Sequence, residues 1–238
     1  MSAMDSDIAS RFARVKAEWA TLQMRALPDT SRFARVKAEA DAIVAAGRWV
    51  SGPADVLSVL GKKRDELAHS RMVAWLVTPT GRHGLGPSFL RAVLDHVWPA
   101  EALLHSGFVS VQLEVTRSAV DDIGDAREAR ADIVLEGDGA TIVIENKVDA
   151  EEGFDQCERL YWSWADQPTE TRWLFLSPTG RAPVTATTDI ARAAWQCMSY
   201  AQLHEALSTA IQEASGDASI GRATVMQYLA SLTTTVLR

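Results

Sequence analysis

Cysteine is scarce in this chain: Cys157 and Cys197 are the only two among 238 residues. That number is too small for a disulfide framework, and their spacing matches no cysteine-based metal site. Both read as small hydrophobes that pack in a protein of a reducing compartment. No run of about 18 apolar residues occurs, which excludes a membrane-spanning helix. Residues 1–14 carry no apolar core of a secretory leader, so a cytoplasmic location is expected. Strong positive charge is also missing. A net charge of −7 is not the footprint of a protein that coats nucleic acid indiscriminately. A local basic patch remains open, with Lys62-Lys63-Arg64, Arg71, Arg82, Arg127 and Arg130 as its candidates, although such side chains commonly form a solvated face.

What is present is ordinary for a globular chain, with 47% apolar and 23% charged residues. The length suits one large domain, or one domain with a helical extension. An internal repeat supports the second arrangement. Ser10-Arg-Phe-Ala-Arg-Val-Lys-Ala-Glu18 recurs letter for letter as Ser31 to Glu39. Phe12, Val15, Trp19 and Leu22 keep helical spacing, as do Phe33, Val36, Ala40 and Ile43. Leu27-Pro28-Asp29-Thr30-Ser31 breaks the two helices apart. Two copies are too few for a solenoid. Either a segmental duplication lengthened a helix, or the pair is an added arm for a homodimer or a protein partner.

The central signal is Ala131-Asp132-Ile133-Val134-Leu135, a Gly137-Asp138-Gly139 turn, and Thr141-Ile142-Val143-Ile144-Glu145-Asn146-Lys147. Asp-Gly between apolar runs is a strong hairpin signal, because the turn needs positive φ. Centring the turn there places Gly137 opposite Ala140, and by the same count Asp132 opposite Glu145. Lys147 shares the face of Glu145. Facing carboxylates repel, and burial makes this worse. Two readings are open: charges at solvated strand ends, or ligands of a divalent cation. Ile142, Val143 and Ile144 leave neither face of the second strand polar, as in strands covered on both sides, and this favours the cation. Oxygen-only ligation points to Mg²⁺ or Mn²⁺. A lysine beside such a metal holds or helps to deprotonate a water, which is phosphodiester hydrolysis chemistry.

Around this hairpin, helices are predicted at about 65–77, 87–97, 151–165, 201–214 and 219–236. Further strands are predicted at 108–117, 172–176 and 195–199. Phe154, Cys157, Tyr161 and Trp164 form the expected inner face of the helix after the hairpin. Gly81-Arg82-His83-Gly84-Leu85-Gly86 lacks the Lys-Ser/Thr of a phosphate-binding loop and reads as a turn. Asp121 and Asp122 fall in an expected solvated loop. The pattern gives an α/β fold with a central mixed sheet flanked by helices.

Asp132…Glu145-Asn146-Lys147 in this setting resembles the PD-(D/E)XK nuclease superfamily, with its restriction-endonuclease-like core of four to five strands. Glu66-Leu67-Ala68-His69-Ser70, Ala74-Trp75-Leu76, His83-Gly84-Leu85-Gly86 and Phe89-Leu90 resemble the N-terminal block of one bacterial branch. Gln156, Glu158-Arg159 and Tyr161 resemble that branch's following helix. Two departures stand out: Ala131 replaces the usual Pro, and the Gln-to-Tyr spacing is one residue long. The likeness spans about 60–235, giving a helical extension at 1–48 and a nuclease-like domain at 49–238.

The resemblance implies Asp132, Glu145, Glu66 and the Asn146 carbonyl as metal ligands, with Lys147 positioning the attacking water and Gln156 contacting DNA or orienting the lysine. His69 and Tyr161 are secondary candidates. The implied activity is metal-dependent cleavage of nucleic acid, DNA first, in bacterial phage defence or DNA processing. The rival readings are an inactive nuclease-like scaffold and an RNA-cleaving toxin or effector.

Overall fold

The computed structural model describes residues 3–26, 30–47, 52–99, 109–120, 126–137, 139–214 and 220–235. Phe108, Leu27-Pro28-Asp29, Asp121, Asp122, Asp138 and the side chains of Leu22, Thr30 and Arg127 lie outside the described residues. The chain divides into two compact units, Met1–Gly52 and Pro53–Arg238. In the first, α1 (Ala3–Ala26) and α2 (Thr30–Ala45) carry the two copies of the repeat. Their stripes of Phe12, Val15, Trp19, Phe33 and Val36 are exposed.

The second unit is built on a five-stranded sheet in sequence order. The strands are β1 (Ser110–Val120), β2 (Ala126–Gly137), β3 (Ala140–Asn146), β4 (Glu170–Ser177) and β5 (Trp195–Ser199). β1, β2 and β3 are antiparallel neighbours, whereas β4 and β5 run parallel to β3. The turn sets the register as expected. Gly139 has φ +78°, and the pairs run from Gly137 with Ala140 to Ile133 with Ile144. Every residue of β3 is buried, as its two-sided apolar character requires.

Alternate residues serve two cores. Ile133, Leu135, Ile142, Ile144, Leu174 and Leu176 pack with α4 (Glu66–Val77), α5 (Ser88–Val97), α8 (Tyr200–Glu213) and α9 (Ile220–Thr235). Ala131, Val134, Val143, Phe175 and Trp195 pack on the other side with α6 (Gln156–Ala165) and α7 (Asp189–Ala194). At the end of β3, Glu145 and Lys147 therefore fall on the α6 side and Asn146 on the α4 side, whereas in β2 the alternation breaks at Asp132, since Ala131 shares a core with Val134. α3 (Val56–Val59) fills the connection before α4. The glycine-rich segment is a packed turn: buried His83 bonds the Thr78 carbonyl and the Leu85 amide.

One expectation is corrected. The helix after the hairpin starts at Gln156, not near 151, so Phe154 lies outside it and is 83% exposed. Of the basic residues considered for a local patch, Lys62 pairs with Asp65, Arg64 with Asp149 and Arg130 with Glu114.

Asp55 ties α3 to α9. Its buried carboxylate caps α3 at the Ser58 amide, 2.9 Å away, and accepts from Ser231 (2.5 Å), the Ser58 hydroxyl (2.7 Å) and Thr234 (3.1 Å). Burial pushes its pKa up, but these hydrogen bonds outweigh it and hold the group down at about 2. A depressed acid contributes stability that is present above its unfolded value of 3.8 and lost as pH falls through about 2. Asp55→Asn is expected to cost about 2 kcal/mol near neutrality. Denaturant melts should show the gap from wild type closing between those two pH values; a constant gap would refute the assignment.

Candidate functional site

Four chain segments converge just beyond the end of β3. The paired register of the hairpin ends at Ile133–Ile144, one position short of Asp132 and Glu145, and the two carboxylates lie near enough for the charge of Asp132 to raise the pKa of Glu145. The Asn146 amide then donates to Asp132 Oδ2 at 2.8 Å. On the other side of Asp132, β1 is distorted. Leu113 pairs with Ile133 and Val115 with Ala131, while Glu114 between them has φ +53°, a strained value for a residue with a side chain. The sheet is thus irregular beside this aspartate.

α4 enters through its first turn, capped by Asp65, whose side chain accepts from the Ala68 amide. Glu66 Oε1 lies 3.3 Å from Lys147 Nζ, and its Oε2 accepts from the Val148 amide at 3.1 Å. Lys147 Nζ is also 2.7 Å from Glu145 Oε1. α6 enters through Gln156, whose Nε2 donates to the same Glu145 oxygen at 2.5 Å. The Gln156 carbonyl oxygen accepts from the Gly153 amide, which fixes the way the amide points. Together Glu66, Asp132, Lys147 and Gln156 line a cleft of about 500 Å³ with Glu128, Arg130 and Arg159.

Glu145 is the electrostatic centre. It is 0% exposed, and its Oε2 has no hydrogen-bond partner. Burial, reinforced by the charge of Asp132, pushes its pKa up to about 8. Burial likewise raises Asp132 to about 6. For Lys147, burial acts downward, but the carboxylates of Glu145, Glu66 and Asp132 outweigh it and the net direction is up. The lysine is therefore a held cation.

The remaining candidates lie apart. His69 shares the Glu66 helix face but sits one turn on, 0% exposed, bonded to Tyr228 and to the Lys63 carbonyl and edge-on to Tyr200. Tyr161 packs with Trp162 and Trp173 in the second core. The side chain of Asn146 points away from the cleft, to Ser70, the Glu66 carbonyl and Tyr200. Ser70 and Tyr200 thus support the strand end from α4 and α8. A buried tyrosine 54 residues downstream carries no local signal.

The fold of the second unit and its carboxylate–lysine cluster agree with an independent comparison: residues 54–230 match the sequence profile of the PD-(D/E)XK nuclease superfamily. The chain belongs to that superfamily. Neither the curated proteins nor the solved structures contain a significant match. Nucleases of this superfamily generally use divalent metals such as Mg²⁺. Among the described residues no three His, Cys, Asp or Glu side chains converge closely enough to hold a metal ion. The Lys147 ammonium lies between two of the carboxylates instead. The donor set nevertheless suits a hard cation, because its ligands are all oxygens and a buried Glu145 oxygen is unpartnered. Among the described residues no helix is long and apolar enough to cross a membrane.

Proposed function

We propose that this chain is a metal-dependent nuclease that hydrolyses phosphodiester bonds, with DNA as the first substrate and a cytoplasmic role in bacterial defence or DNA processing. Residues 49–238 would carry the activity and residues 1–48 an added helical arm. The observation that carries the reading is Glu145, a fully buried carboxylate with one orphaned oxygen, held behind Asp132, Lys147 and Gln156, which line a cleft. A structural role alone leaves that oxygen unexplained, because an unpartnered buried acceptor costs about 1–3 kcal/mol.

Asp132, Glu145 and the Asn146 carbonyl are the proposed ligands of Mg²⁺ or Mn²⁺, with Glu66 as a further ligand or a holder of metal-bound water. Such a metal supplies Lewis-acid polarisation of the phosphate and a more acidic water. Lys147 stays protonated, so it donates: it orients the attacking water and stabilises the charge that develops on the phosphate. Gln156 holds Glu145 Oε1, which fixes that carboxylate for its role.

A cleavage assay with Mg²⁺ or Mn²⁺ on linear, circular and single-stranded DNA and on RNA tests the reading. Activity on DNA is expected; activity on RNA alone would favour the effector reading, and none on any substrate the scaffold. Calorimetric titration with Mn²⁺ should show one binding event that Asp132→Ala removes. Tight binding surviving that substitution would sink the ligand assignment.

A further inference from the structure

Three cations face the cleft, and two of them are engaged. Lys147 lies between Glu145 and Glu66, and Arg130 pairs with Glu114 at 3.2 Å. Arg159 differs. Among the described residues its guanidinium makes one hydrogen bond, from Nη1 to the Glu128 carbonyl at 3.2 Å, and no ion pair. Its Nε is shielded from water and has no acceptor at all. An arginine with one of five donors used, in a chain of net charge −7, is an unfinished arrangement. Carboxylates are at hand, since Glu66, Glu128 and Asp132 line the same cleft. None of them takes the fork.

We propose that Arg159 is a phosphate-binding residue, holding a backbone phosphate of the nucleic acid across the cleft from the carboxylates. This rests on the nuclease reading of that cleft. The placement follows from α6: Gln156 and Arg159 are i and i+3 on one face. Gln156 is bonded to Glu145, so Arg159 stands about 4.5 Å further along the helix axis. That offset suits a phosphate adjoining the one being cut. The bond to the Glu128 carbonyl uses one Nη1 proton and leaves the other Nη1 proton and Nη2, at the tip of the guanidinium, to meet two phosphate oxygens, the planar fork that distinguishes arginine from lysine. The cleft needs this cation, because its carboxylates repel a polyanion unless a fixed positive charge holds the backbone in place.

The test uses the full chain as wild type, Arg159→Ala and Arg159→Lys. Binding of fluorescein-labelled duplex and single-stranded DNA is followed by anisotropy with Ca²⁺ present over a range of salt, and cleavage kinetics are measured with Mn²⁺. Arg159→Ala is expected to raise Kd and KM about tenfold and to flatten the plot of log affinity against log salt by about one charge. The kcat should stay within about twofold, because the lost contact is made equally in ground and transition states. Arg159→Lys should keep the salt slope and recover part of the affinity. An Arg159→Ala protein with wild-type Kd, KM and slope would overturn the proposal while the nuclease reading stands. So would a lower melting temperature with an unchanged slope, which is the mark of a merely structural tie to β2. A wild type that neither binds nor cuts nucleic acid would overturn both.

Discussion

Glu145→Gln should abolish cleavage and leave the metal-free protein at least as stable as the wild type, whereas Lys147→Ala should abolish cleavage and destabilise it. The two substitutions act on one ion pair from opposite ends. Glu145 is wholly buried with one oxygen unpartnered, and Asp132 lies near enough to raise its pKa. Its charged form is held by Lys147 and Gln156. An amide of the same shape still accepts from both and no longer carries a charge beside Asp132, so the fold loses little. Removing Lys147 does the reverse: Glu145 and Glu66 lose their common cation. Breaking a buried pair costs about 3–5 kcal/mol, less here because Glu145 can take up a proton. For both variants the rate should fall by about 10³-fold or more, the scale of a lost charge-stabilising or proton-handling group. Initial cleavage rates and denaturant melts in EDTA are the measurements. Glu145→Gln with a rate within tenfold of wild type, or melting clearly earlier, would contradict this account.

The hairpin was readable because its information is local. An Asp-Gly turn fixes the register, and the register fixes which side chains face one another. Pairs from Gly137–Ala140 to Ile133–Ile144 follow from that one dipeptide. Periodicity likewise placed Glu66 and His69 on one face of α4. It could not say that this face meets two surroundings, the cleft at its first turn and the tyrosine-lined core at its second. Phe154 was misplaced because Gly153 and Asp155 delay the helix, and Asp155 stands at φ +47°. The six residues of α7 are too few to show a period. Supports such as Tyr200, and the unpaired state of Arg159, depend on packing between distant segments, so no spacing rule reaches them.

Asn146→Ala should destabilise the fold strongly, although its side chain never faces the cleft. Asn146 is 0% exposed and joins three elements. Its Nδ2 donates from β3 to Ser70 Oγ at 2.9 Å and to the Glu66 carbonyl at 3.2 Å, both on α4. Its Oδ1 accepts from the Tyr200 hydroxyl of α8 at 2.7 Å. Truncation orphans that hydroxyl, which is itself buried, and loosens the turn of α4 that holds Glu66 against Lys147. With about 1–3 kcal/mol for each buried group left unpaired, the loss should be about 2–4 kcal/mol. Cleavage should fall as well, because Glu66 is no longer held. A double-mutant cycle with Tyr200→Phe separates this from cavity formation. If the hydroxyl is the orphan, Tyr200→Phe should cost less in the Asn146→Ala background than in wild type, by about 1 kcal/mol or more. Strict additivity would show that the two side chains do not depend on each other. The carboxylates would then owe their positions to the β-hairpin alone rather than to the α4–β3–α8 junction behind it.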